Sequence, residues 1–311
     1  MAQVKVDRSL LEGMTKRERQ AFVRELARQE RERQARQRRQ RRIAAWSAAG
    51  GVVVLAIAGG ITAGVVSASN AAAAEAAKEA EAAADAARGP VNMLTDGLLL
   101  KAAGDGSTVT PVSTGALEGG ATPTTSASEV TTTGVLDVQL YVDPTSADAA
   151  GFWAANGAAI QSALTAGDLT LELHPIAQTG SADALAAVDA FGCFAALQPD
   201  AALAAWNAML QVTIDGAAAG TTLTEGDLTG VMTTAGATDD VVDCVGDDTY
   251  AQWADAASTR ATTSIPYATE ATAATSGVTV VAAGSVYTGS LEDAAALSSF
   301  FTDALSGATT G

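Results

Sequence analysis

The chain has 311 residues, a formal net charge of -17, 48% hydrophobic residues, 5% aromatics, 2 cysteines and 1 histidine. So few aromatics force a core of Ala, Val, Leu and Trp, and two cysteines far apart exclude a Cys-x-x-Cys motif and argue against a zinc site. The charge is split. Residues 1–42 hold 14 Lys/Arg and 6 Asp/Glu, a net of +8, and the remainder hold 4 and 29, a net of -25. An acidic body of this kind repels nucleic acid and anionic membrane surfaces, so no nucleic-acid partner is expected.

From Thr15 the basic segment 1–42 reads as a polar helix. Thr15 and Glu18 have capping-box spacing, and Phe22, Val23 and Leu26 form a thin apolar stripe. A basic arm on nucleic acid is one reading. A cytoplasmic juxtamembrane segment resting on anionic lipid is the simpler one. Ile43 to Val66 follows without a charge. Its length as a helix, ~36 Å, exceeds the ~30 Å hydrocarbon core, so 43–66 is expected to span a membrane once. Arg38, Arg39, Arg41 and Arg42 precede it and Trp46 falls near the inner interface. This places the N-terminus in the cytoplasm and the rest outside it. A cleaved signal peptide ending near Ala68 is the rival; the long basic flank and long apolar run favour an uncleaved signal anchor.

Residues 67–134 read as an Ala-rich helical stalk, ended by Gly89-Pro90, and then a Gly/Ser/Thr/Pro linker. Within them Asn92 to Lys101 reads as a strand or hairpin at the edge of the domain that follows.

Val135 to Val142 is apolar and β-prone, Asp143-Pro144 stops it, and a helical pattern opens at about Ser146. A strand follows at 169–174, then helices at 181–197, 200–212, 224–235, 238–245 and 249–260. Ser181, Asp200 and Thr224 are the expected N-caps. A strand at 277–283, a Gly284-Ser285 turn, a strand at 286–287 and a helix at 291–305 capped by Ser290 close the chain. The fold class is therefore α/β, with a helical insert at about 181–262.

Tyr141-Val142-Asp143, the helix start at Ser146, Phe152 and the turn Gly284 to Gly289 together resemble the DsbA-like thioredoxin-fold oxidoreductases, in the membrane-anchored form found in high-GC bacteria. The resemblance covers 135–311. It implies a thioredoxin-like fold with an inserted helical subdomain outside the membrane. It also implies a Cys-Pro-x-Cys on the first helical turn and a cis-proline ahead of the third strand.

Here those places hold Ser146-Ala147-Asp148-Ala149 and Val278. Serine forms no mixed disulfide, Ala149 resolves none, and Asp148 sets a negative charge where the family stabilises a thiolate. A cis bond before Val278 would cost ~3 kcal/mol, so trans is expected. The degenerate positions Ser146, Ala149 and Val278 thus predict no catalysis and no cofactor.

Cys193 and Cys244, in two helices of the insert, are an even pair outside the cytoplasm and are expected to form a disulfide. Anchored relatives carry a structural one there. His174 ends a strand and reads as structural. Asp239, Asp240, Asp243, Asp247 and Asp248 read as a solvated acidic face, since calcium-loop spacing is absent. Trp153, Trp206 and Trp253 read as core.

Three functions are compatible with this. The first is a redox-inactive binding or scaffold domain with an extracytoplasmic protein or peptide partner. The second is an oxidoreductase working through Cys193 and Cys244. The third is a structural envelope protein acting through its basic helix.

Overall fold

The structure is a computed structural model that describes residues 86–123 and 135–308 except 267 and 271, together with 78, 82 and 83. The basic segment 1–42, the apolar run 43–66 and most of the stalk lie outside these residues, as does 124–134. Among the described residues no helix is long and apolar enough to cross a membrane.

In chain order the elements are β1 (Leu98–Ala102), β2 (Val109–Pro111), β3 (Leu136–Val142), α1 (Ala147–Ala166), β4 (Leu169–Pro175), α2 (Ala182–Leu197) and α3 (Ala202–Gly216). Then come α4 (Leu228–Ala235), α5 (Asp239–Gly246), α6 (Ala251–Thr263), β5 (Val278–Ala282), β6 (Ser285–Val286) and α7 (Ala294–Ala308). Six strands form one sheet in the order β2-β1-β4-β3-β5-β6. Central β3 pairs in parallel with β4 and antiparallel with β5, which pairs antiparallel with β6. A β-α-β unit followed by a β-hairpin and a helix, in this order and with these directions, is the thioredoxin arrangement. Helices α2 to α6 are inserted between its second and third strands.

Alternation within the strands sets the layers. Val138, Leu140 and Val142 of β3, Leu171 and Leu173 of β4, and Val280 and Ala282 of β5 belong to the main apolar core, along with Phe152, Ile160 and Leu164 of α1 and Leu297 of α7. Helix α1 packs on β1, β4 and β5, and α7 on β3 and β5. In the pairing register the other face carries Asp137, Gln139, Tyr141, Thr170, Glu172 and His174. Tyr141 and Val281 join Ile176, Ala261, Ile265 and Ala274 in a smaller apolar cluster on that side.

The insert is built on aromatics. Trp206 and Trp253 are fully buried. Phe191 meets Trp206 edge-on with centroids 5.4 Å apart, and Trp153 of α1 meets it at 6.2 Å. Gly192 is small for a reason: a Cβ there would lie 3.0 Å from Trp253 Cζ3 and from Pro90 Cγ.

Three local expectations are corrected. Residues 98–102 form the edge strand expected within 92–101, but 109–111, expected to be linker, pair with them as a hairpin on the outer side of β4. Their loop, Gly104 to Thr108, looks like linker because its residues are turn formers. Gly104 and Gly106 sit at φ +84° and +70°, and Asp105 accepts from the Ser107 and Thr108 amides at 2.9 and 2.8 Å. Leu117, also in the expected linker, is buried, and its carbonyl accepts from the Gly89 amide at 2.8 Å. The last helix begins at Ala294 with Asp293, not Ser290, accepting from the Ala295 and Ala296 amides at 3.0 Å. Asp200 lies in a 3-10 turn, Pro199–Ala201, rather than capping α3. The Ser181 cap is as expected, accepting from Ala184 N at 3.2 Å.

Candidate functional site

The end of β3 carries the site. Asp143 is buried, and its carboxylate and amide together gather three segments. Oδ1 accepts from the Thr145 amide and hydroxyl at 2.9 and 2.6 Å, and Oδ2 accepts from the Gln178 amide at 3.0 Å. The Asp143 amide donates to Gly277 O at 2.9 Å, and Gln178 Nε2 donates to Thr275 O at 3.1 Å. The start of α1, the loop after β4 and the loop before β5 are thereby tied together. Thr213 of α3 adds a fourth link, donating to Pro144 O at 2.7 Å.

Ser146 is the N-cap of α1. Its backbone is extended, at φ -83° and ψ 136°, and its Oγ accepts from the Asp148 amide at 3.2 Å. Asp148 is exposed and Ala149 is fully buried beneath the helix start. Ser146 packs directly on Gly277, where a Cβ would collide with both the hydroxyl and the Cβ of the serine. Among the described residues no peptide bond is cis, so the bond before Val278 is trans. The structure thus brings Ser146, Ala149 and the segment leading into Val278 to one place. Chemically this is a capped helix end. The serine hydroxyl is turned to a backbone amide, and the nearby carboxylate of Asp143 is already engaged by its donors.

The remaining sequence candidates lie elsewhere. Cys193 of α2 and Cys244 of α5 are joined in a disulfide with Cα atoms 5.9 Å apart; their relative exposures are 0% and 8%. His174 is buried on the polar face of the sheet. Its ring stacks on Tyr141 with centroids 4.1 Å apart, and its Nε2 lies 3.6 Å from Glu172 Oε1. Gly97 makes room for the ring, since a Cβ there would fall 2.5 Å from His174 Cε1. Asp239, Asp240 and Asp243 are exposed along α5. Trp153 donates to Asn207 at 2.9 Å and Trp253 to Asp96 at 2.8 Å.

Two groupings escaped the sequence reading. Asp96 receives a two-pronged bond from Arg260, from Nε at 2.7 Å and Nη2 at 2.8 Å, as well as the Trp253 indole. The available signal was that Arg260 is the lone Lys/Arg after residue 101. The second is the buried polar set Asp137, Gln139, Thr170 and Glu172. It was visible as polar residues at every second position of LDVQLYV and LTLELH. Burial, reinforced by the Glu172 charge, pushes the Asp137 carboxyl up to about 6.

Fold and site together define a thioredoxin-type α/β domain with a helical insert and with serine, not cysteine, at the head of its first helix. No protein-family model and no curated protein matches the chain. Among solved structures it is similar to DsbA from Mycobacterium tuberculosis in its reduced form, at 19% identity and TM-score 0.45, over 69% of this chain and 98% of that one. It is also similar to MdbA, a thiol-disulfide oxidoreductase from Actinomyces oris, at 18% identity and TM-score 0.44, over 54% of this chain and 80% of that one. MdbA from Corynebacterium diphtheriae matches at 11% identity and TM-score 0.44, over 66% of this chain and 93% of that one.

Proposed function

We propose that this chain is a membrane-anchored, extracytoplasmic thioredoxin-like protein that performs no thiol exchange and serves as a binding or scaffold domain for a protein or peptide partner. The observation that carries the proposal is Ser146 acting as a helix cap against Gly277, where an oxidoreductase of this fold needs an attacking sulfur. Ala149, at the resolving position, has no sulfur either. Cys193 and Cys244 give no substitute. Thiol exchange needs access to a sulfur, and both are buried in one bond. The anchor rests on the apolar run 43–66 and the arginines before it, which would also hold the N-terminus against anionic lipid.

The test is an insulin-reduction assay paired with oxidation of a dithiol peptide, run on the full chain and on a Cys193→Ser/Cys244→Ser variant. Neither protein is expected to turn over substrate. Turnover by the double variant would defeat the proposal outright. Turnover by the native chain alone would transfer the function to the Cys193–Cys244 pair.

A further inference from the structure

The polar face of the central sheet holds more acid than it has partners for. Asp137 and Gln139 of β3 lie opposite Thr170 and Glu172 of β4 in parallel register. Asp137, Gln139 and Glu172 have relative exposures of 8%, 2% and 1%. Asp137 Oδ1 accepts from Thr170 Oγ1 at 3.3 Å and Oδ2 from Gln139 Nε2 at 3.3 Å, while Glu172 Oε1 accepts from Thr95 Oγ1. Two acceptors on neighbouring strands are left over: among the described residues, Gln139 Oε1 and Glu172 Oε2 have no hydrogen-bond partner.

The other titratable groups on this face are Tyr141 of β3 and His174 of β4, whose rings stack on one another. On β4, His174 stands 3.6 Å from the other Glu172 oxygen. Through their register partners, β5 contributes Val281 and Thr279 and β1 contributes Leu99. Lys101, farther along β1, is exposed, and Arg260 of α6 is held by Asp96.

One proton resolves both orphans. The nitrogen and oxygen of a glutamine amide exchange places by a half-turn of its terminal bond. After that turn the Gln139 NH2 takes the place of the orphaned oxygen, on the strand next to its register partner Glu172, and the amide oxygen meets Asp137, which must then donate. A carboxyl buried on one sheet face with a second carboxylate on the neighbouring strand favours the protonated form of Asp137.

We propose that Asp137, Gln139 and Glu172 form a proton-bridged ladder across β3 and β4, a pH-sensitive element that tightens the sheet in acid and loosens it when the proton leaves. The raised Asp137 carboxyl agrees with it. The sign follows. An acid whose folded-state pKa is raised binds its proton more tightly in the folded state. Its share of stability is therefore full below the ordinary carboxylate range, ~4, and is lost as pH rises through about 6.

The experiment is thermal unfolding of the full chain from about pH 4.5 to about pH 8, with infrared detection of the carboxylic-acid carbonyl near pH 5.5. The native chain should lose melting temperature as pH rises through about 6. Asp137→Asn should flatten that part of the profile and remove one protonated-acid band. The exposed-site control Asp239→Asn should keep both. Should Asp137→Asn fail to fold, Glu172→Gln takes its place. With the like charge gone, the slope and the loss of the band should move to lower pH. Parallel profiles for the native chain and the variants, or no protonated-acid band in the native chain at acid pH, would overturn the ladder.

Discussion

Single atoms decide the character of the site. Gly277 is not left-handed, so backbone freedom does not explain it. It is a glycine because Ser146 occupies the space where its Cβ would stand. The N-cap hydroxyl, the Gly277 carbonyl that receives the Asp143 amide and the Asp143 carboxylate form one interlocked set. Adding one methyl should break it. Gly277→Ala is expected to destabilise the protein by about 1–3 kcal/mol, the usual range for overpacking a tight site. Ser146→Gly removes the colliding atoms and should recover much of that loss, less the ~1 kcal/mol of a cap reduced to glycine and a freer chain. Urea unfolding of the two single variants and the double variant reads the coupling. Strict additivity would show that the serine and the glycine do not touch.

Among the elements, the segment before β1 and helix α6 depend on one another. Asp96 sits at φ +63°, a conformation uncommon for a residue with a Cβ. It holds that position with three donors: two from Arg260 and one from Trp253. The Arg260 side chain is 21% exposed and that of Asp96 is 9% exposed, so the pair is largely dry. Removing one partner leaves a mostly covered guanidinium and a buried indole N–H without an acceptor. Asp96→Ala should therefore cost about 3–5 kcal/mol, well above the loss of a surface ion pair. Equilibrium urea denaturation monitored by Trp fluorescence measures it, and a cost below ~1 kcal/mol would show that the clamp is solvated. This contact also explains why the hairpin β1–β2 belongs to the domain: its approach is fastened to the insert, far away in sequence.

At the scale of the molecule, residues 135–311 carry 21 Asp/Glu and a single Arg, and that Arg is already bound to Asp96. Self-repulsion across such a surface is long-ranged in dilute buffer and is screened once the Debye length falls to ~3 Å near 1 M salt. Raising potassium chloride toward that level should raise the melting temperature of the full chain at neutral pH. A fall would mean that attractive charge pairs outweigh the repulsion.

Much of the architecture was legible in advance because its signals are local. A β-branched run ended by Asp-Pro, a Ser at a helix start and Ala-rich stretches between Gly and Pro each act within a few residues. The helix cap was legible for the same reason: Ser146 opens α1 as its N-cap, and a serine before an alanine-rich run is a local signal. The linker expectation failed where turn formers between short strands have the composition of a flexible tether, and only the pairing of β2 with β1 distinguishes the two. The Ser290 cap failed because Ser290 and Asp293 are both good caps, and it is Asp293 that accepts from the first-turn amides of α7.

By itself, the sequence determined the order of elements, the absence of a reactive dithiol at the helix head and the split of charge, since these depend on residue identity and short-range preference. Only the tertiary structure decided that Ser146 closes against Gly277, that Asp96 meets Arg260 and that two acids share one face of β3 and β4. Those are meetings between residues tens to more than a hundred positions apart, and the closing of the chain on itself, not any local preference, brings them together.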